Sequence, residues 1–332
     1  MKKYVVIGVI AFIIVSFTGC QEEHKENNDN IDSEDPGGSG WIDEGIVIDN
    51  GYYWNPEIVQ LEDETYRMYV EDHGSSSTTL LGIVSLTSSD GVDWEYEQMI
   101  LEGASHPGIV HLDDGRWRLY FQSQYGIESA ISEDGVSFTD ELGIRLLHDP
   151  DVEGANIRHP CIVSLPEGGF RMYYDTDAEG GSFIRIWSAY SSDGINFTRE
   201  GLNIDLTPWR NDWPEGWYAH ASKPEVLQTP DGLWRMFFAS SRLVGSVYRP
   251  MTIRMATSFD GVTWDIKIVN YEITGVTMDD GKSYSPFDVS VKIMDNESTV
   301  RMYYSLFLSP EEGFVGDYSG IYTVSKPLYE LE

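Results

Sequence analysis

The sequence predicts an all-β fold: a five-bladed β-propeller with four-stranded antiparallel blades. Two repeated motifs carry this prediction, together with the absence of helical periodicity downstream of the N-terminal segment. The first motif, Ser-x-Asp-Gly-(Val/Ile)-x-(Trp/Phe), recurs at Ser88–Trp94, Ser132–Phe138, Ser191–Phe197 and Ser258–Trp264. The second is a Pro followed by apolar β-formers, a polar turn and a strand of the Tyr-Arg-Met-Tyr kind. Its copies begin at Pro56, Pro107, Pro160, Pro224 and Pro286, at intervals of 51, 53, 64 and 62 residues. Each interval is long enough for four short strands, and units repeating at such a period close around an axis. Between turn residues, β-branched and aromatic side chains alternate with polar ones.

The N-terminus reads as an export signal. Met1-Lys2-Lys3 is a short basic start, Tyr4–Phe17 is almost unbroken apolar chain, and "FTGC" ends at Cys20. That apolar run is short for a bilayer span and precedes a small-residue cleavage site. "FTGC" resembles a bacterial lipobox, which implies cleavage before Cys20 and acylation of its thiol, palmitate among the chains. The domain plan is therefore a lipoprotein signal peptide at 1–19, an acidic disordered tether at 20–40 and the propeller at 41–332. The tether, "QEEHKENNDNIDSEDPGGSG" after Cys20, has no aromatic residue and buries too little apolar surface to offset its ordering entropy. The expected location is extracytoplasmic, anchored to the cell membrane or outer membrane.

Composition narrows the partners. The formal charge is −33, and removal of Lys2 and Lys3 with the signal takes it to −35. Such a charge argues against nucleic acid and against membrane contact other than through the N-terminal lipid. After Cys20 only Cys161 remains, so no intramolecular disulfide between free thiols is available. The chain holds 10 Trp, 20 Tyr and 13 Phe, ample for a large core. No cofactor or metal is expected, because His106 and His159 have no ligand spacing behind them. Oligomeric state is not readable.

In the Ser-x-Asp-Gly turns, Asp caps the turn, Gly takes the positive φ and the aromatic packs back on the sheet. The segment "GWIDEGIVIDNG" at 40–51 offers a closing strand for the fifth unit, which lacks this turn. Residues flanking each Pro share one strand face. The face towards the axis then holds Asn55 and Glu57, His106 and Gly108, His159 and Cys161, Lys223 and Glu225, Ser285 and Phe287. The second strands add Glu71 or Asp72, Gln122, Asp175 and Ser305.

The order of these motifs resembles the five-bladed propellers of glycoside hydrolase families 43, 32 and 62, with the family-130 mannoside phosphorylases nearby. The resemblance implies a carbohydrate ligand in a central funnel. In family-43 enzymes it implies a base, a pKa-modulating Asp and an acid at places here held by Asn55, His106 and Arg158. An amide takes no proton from water at neutral pH. The remaining candidate catalytic carboxyls are Glu57, Glu225 and Asp175. Glycosidic cleavage needs two carboxyl groups about 5–9 Å apart, one of raised pKa. Equally, Glu57 and Glu225 are readable as ion partners of Lys223 and Arg158. Candidate substrate-binding residues are Asn55, Asp72, His106, Arg158, His159 and Lys223. Trp209, Trp213 and Trp217, in the loop "TPWRNDWPEGWYAH", offer faces for sugar stacking. Three functions follow: a glycosidase with displaced acid and base, a catalytically silent surface glycan-binding propeller, and a phosphorylase holding phosphate on Arg158, His159 and Lys223.

Overall fold

The structure, a computed structural model, describes residues 40–76, 79–154, 156–178, 183–206, 217–244, 247–248, 251–266, 273, 276–277, 283–294, 298–308 and 318–331. The segment expected to be a signal peptide, the expected tether up to residue 39, Trp209 and Trp213 lie outside them.

Five antiparallel sheets surround one axis, as the repeats require. From the axis outward, blade 1 runs Tyr53–Gln60, Tyr66–Asp72, Gly82–Ser88 and Glu95–Glu102. Blade 3 runs Ile157–Ser164, Phe170–Ala178, Phe183–Ser191 and Thr198–Ile204 in the same order. The inner strands of blades 2, 4 and 5 are Ser105–His111, Trp217–Gln228 and Ser283–Ile293. Blade 5 is completed from the other end of the chain. Ile42–Ile48 pairs antiparallel with the C-terminal strand Tyr318–Pro327, so "IDEGIVI" is the closing strand.

The Ser-x-Asp-Gly turns do more than reverse the chain. In the first copy, Asp90 Oδ1 accepts the Val92 and Asp93 N–H groups at 2.8 and 2.9 Å, and Gly91 takes a φ of 75°. The turn carbonyls are then gripped by the preceding blade. Tyr69, Tyr120, Tyr173 and Tyr303 donate their hydroxyls to the carbonyls of Gly135, Gly194, Gly261 and Gly91 at 2.6–2.9 Å. Arg67, Arg118, Arg171 and Arg301 donate to the neighbouring Asp carbonyls of the same turns at 2.8–3.2 Å. The turn aromatic packs edge-on against that Tyr ring, as Phe197 does on Tyr120 with centroids 5.9 Å apart. It therefore packs on the neighbouring blade as well as on its own, and the repeat is an inter-blade latch.

Each latch Arg is held from its other side by a carboxylate: Glu97 and Glu200 on outer strands, Glu141 just after the strand Thr139–Asp140 and, for blade 5, Glu44 of the closing strand. The blade 4 to blade 5 junction has no such turn. There Phe237 stands where the other blades carry Tyr, Trp41 packs edge-on against it at 6.4 Å, and Arg235 donates to the Leu331 carbonyl at 2.7 Å. Residues from both ends of the described chain thus replace the missing turn.

Candidate functional site

Every inner strand breaks register with its neighbour at one place. The breaks fall between Trp54 and Glu57, Ser105 and Gly108, Arg158 and Cys161, Ser222 and Glu225, and Phe287 and Ser290. At each break one non-glycine residue has a positive φ: Asn55 at 51°, His106 at 55°, His159 at 52°, Lys223 at 56° and Asp288 at 48°. Such conformations cost roughly 1–3 kcal/mol each and persist where the surroundings enforce them. Five of them in equivalent places form a ring of polar residues about the axis.

The fifth member corrects the sequence expectation. Pro286 suggests Ser285 and Phe287 as the axial pair, but Asp288 takes the ring position and Val289 stands where the other blades have Pro. Asp72 is likewise not in the ring layer. Trp54 pairs with Glu71 and Tyr53 with Asp72, so the buried inward carboxylate is Glu71, while Asp72 accepts the Gly74 N–H at 2.7 Å. A one-residue step in an antiparallel pair exchanges faces.

The ring is closed by Lys223. Its ammonium forms an ion pair with Asp288, donates to Asn55 Oδ1 at 2.7 Å and rests on the Phe287 ring at 3.7 Å. Asp288 also accepts the Asn55 N–H at 3.3 Å. Behind the ring, Asp175 is fully buried. It accepts from Arg158 Nε at 3.1 Å, from His159 Nδ1 at 2.7 Å and from the Lys223 N–H at 2.9 Å. Glu71 serves blade 2 similarly, accepting the His106 N–H at 2.5 Å and pairing with His73 Nε2 at 3.0 Å. Burial alone would raise the Glu71 carboxyl, but His106, the His73 hydrogen bond and Lys223 hold it down at about 2. The two ring imidazoles meet edge to face at 3.9 Å. Burial holds both well below the usual histidine value, and Lys223 and Arg158 add to the effect.

A second layer lies beneath the ring: Glu57, Cys161 and Glu225. Lys292, which the sequence reading missed, bridges the two carboxyls at 3.5 Å to Glu57 and 3.1 Å to Glu225. Burial first, and then the Glu225 charge, pushes Glu57 up to about 8. Burial beside the same carboxyls pushes the Cys161 thiol well up as well. The axial space lined by both layers is about 30 Å³, room for one or two waters. Lys292 belongs to the same alternating run as Ser290, so period-2 counting from Asp288 would have found it.

The structure thus brings Asn55, His106, Arg158, His159, Asp175 and Lys223 together at the axis, with Glu57 and Glu225 below. Trp217 lies at the start of the blade 4 inner strand, with its side chain outside the described residues. Trp54, half-buried, stacks on His73 at 3.7 Å beside this layer.

No protein-family model matches the sequence. No curated protein matches it either. Solved structures do. The chain is similar to a thermostable family-43 glycoside hydrolase, with a TM-score of 0.64 and 17% identity, covering 84% of this chain and 90% of that one. It is similar to an endo-1,4-beta-xylanase from Bacteroides thetaiotaomicron VPI-5482, with a TM-score of 0.60 and 14% identity over 85% and 92% of the two chains. An endo-arabinase of the same organism gives 0.56 and 15% over 83% and 94%. The fold is that of the five-bladed glycoside hydrolase propellers.

Proposed function

We propose that this chain is an exported, lipid-anchored protein that binds oligo- or polysaccharide in the funnel above the ring, without the hydrolytic pair of family 43. One observation carries the reading. Every carboxylate placed near the axis among the described residues already serves a neighbour: Asp288 serves Lys223, Asp175 serves Arg158 and His159, Glu71 serves His73 and His106, and Glu57 and Glu225 share Lys292. What the ring turns towards the funnel is a set of donors and imidazoles. Arg158 and His106 keep 23% and 20% of their side chains exposed, against 0–3% for Asp175, Glu71 and Asp288. A polar surface of this kind, with Trp54 and Phe287 nearby, suits sugar hydroxyls and an apolar sugar face. Export and anchoring rest on the Met1–Cys20 segment, and the ligand would then be met outside the cytoplasm.

A second reading is favoured by Glu57 alone. Its carboxyl is raised by burial to about 8 and lies beside a second carboxyl, and glycosidic cleavage uses a pair in which one member has a raised pKa. Against it stands the placement of the pair beneath the ring, with Lys292 bridging its two carboxyls.

The test is to incubate the purified protein with neutral, uronic and sulfated oligosaccharides, following released sugar and ligand-induced thermal shift. A shift without product supports the binding reading. Product that vanishes in Glu57→Gln or Glu225→Gln establishes a hydrolase with relocated carboxyls.

A further inference from the structure

Blade 1 meets the ring at one end, where Trp54 pairs with Glu71. At its other end Gln60, Tyr66 and Ser88 pair side by side, and the turn Ser88–Trp94 follows. Beside that turn lies an open cleft of about 740 Å³, within the size range of small-ligand sites. Val47 of the closing strand lines it together with Thr87, Ser89, Asp93, Trp94 and Glu95 of blade 1.

Two residues set this place apart from its equivalents on the other blades. The turn aromatics Phe138, Phe197 and Trp264 are flanked by Ser137 and Thr139, by Asn196 and Thr198, and by Thr263 and Asp265. Of the four, Trp94 alone has a carboxylate on each side, Asp93 and Glu95, and both are exposed. The turn does not use them. Its cap is Asp90, which accepts the backbone N–H of Asp93, and its latch contacts run through the carbonyls of Asp90 and Gly91. Trp94 is held in place, with its indole N–H donated to the Gly91 carbonyl at 3.2 Å and its ring edge-on to Tyr303 at 6.0 Å. It is nevertheless only half-buried, and it lines the cleft.

We propose that this cleft is a second glycan-binding site, separate from the funnel, that takes an uncharged oligosaccharide segment. A fixed indole offers its face to the C–H side of a sugar ring. Asp93 and Glu95 accept from adjacent sugar hydroxyls in charge-assisted bonds, while the hydroxyls of Thr87 and Ser89 both donate and accept. The same carboxylates, on a chain of formal charge −33, repel uronates and sulfated sugars. A basic peptide matches the charge but gains little from exposed ion pairs and leaves the hydroxyls unused. With the funnel at the opposite end of blade 1, the cleft gives the protein two holds on a glycan network.

Calorimetric titration of the full-length protein with neutral xylo-, arabino- and gluco-oligosaccharides tests this, with stoichiometry and affinity as the readouts. The double variant Asp93→Ser/Glu95→Thr copies the flanks of Phe138, so its thermal unfolding should match the parent. It is expected to lose one binding site per chain, or to weaken that site about tenfold or more. Trp94→Phe keeps an edge-on ring, as Phe138 and Phe197 do, and should weaken the same site through lost stacking area. An acidic oligosaccharide of equal length should bind the cleft less well, with the deficit shrinking in high salt. Stoichiometry and affinity unchanged in the double variant would overturn the cleft and leave the funnel reading intact. Loss of the only site observed would support the cleft and count against the funnel. Binding of oligolysine in preference to every neutral glycan overturns the assigned ligand class. A parent protein that binds no neutral glycan overturns the proposal as well.

Discussion

Lys223 of blade 4 and Asp288 of blade 5 meet as a buried ion pair at the axis and, with Asn55 of blade 1, tie three blades together. Each partner is costly to bury alone. Lys223→Met or Asp288→Asn should cost about 3–5 kcal/mol, because each leaves the other group uncompensated. The double variant should cost clearly less than the two singles combined. Urea unfolding of the four proteins measures this coupling, and strictly additive losses would refute it.

The latch tyrosines make a second, independent prediction. Tyr120 and Tyr173 are fully buried and each satisfies a turn carbonyl of the next blade. Replacement by Phe keeps the packing and orphans that carbonyl, so each change should cost about 1 kcal/mol. Phe237 occupies the same place without a hydroxyl, so Phe237→Leu should lose packing alone, against Trp41 and the core around it, and no hydrogen bond. Denaturant midpoints separate the cases. A Tyr120→Phe protein as stable as the parent would show that the latch contributes nothing.

The turns and the closing strand were legible in the sequence because their chemistry is local. Asp followed by Gly dictates a turn, and the β-branched Ile-Val-Ile run that ends "IDEGIVI" suits a strand. The ring was legible for four blades, where Pro marks the bulge, and misread in the fifth. Pro286 lies in the same strand as the bulge but three residues before Val289, and the residue that takes the positive φ is Asp288. Glu71 could not be told from Asp72, since the choice depends on the register between two strands and not on either strand's pattern. Lys292 went unseen because the axial face of this strand was counted from the neighbours of Pro286, which puts Lys292 on the opposite face, and its partners Glu57 and Glu225 come from blades 1 and 4.

Gly108 is set by spacing and not by backbone freedom. A Cβ added there would lie 1.9 Å from the Pro160 carbonyl oxygen, a backbone atom of the next blade. Gly108→Ala must therefore push blades 2 and 3 apart next to His106 and His159. It should destabilise the fold by a few kcal/mol, at the severe end for a single methyl. Glycan affinity should fall in the same variant, because the two imidazoles share that junction. A Gly108→Ala protein with unchanged melting temperature would contradict this geometry.

Glu57 gives the pH prediction. Its carboxyl in the folded protein titrates at about 8, raised by burial and by Glu225, while the unfolded chain releases the same proton at the ordinary carboxyl value. Between these values the native state holds a proton that the unfolded state has lost. The contribution of Glu57 is therefore fully present at the acid end and declines as pH rises through the window, from about pH 5 to about pH 8. Gln cannot ionise and has a similar shape, so Glu57→Gln should lose less stability than the parent across that range. The gap between the two profiles should widen by a few kcal/mol, given about 1.4 kcal/mol per pKa unit. Comparing the two proteins cancels the titration of His106, His159 and Glu71, which both retain. Parallel profiles would mean that Lys292 keeps both carboxyls ionised and that Glu57 is no proton reservoir.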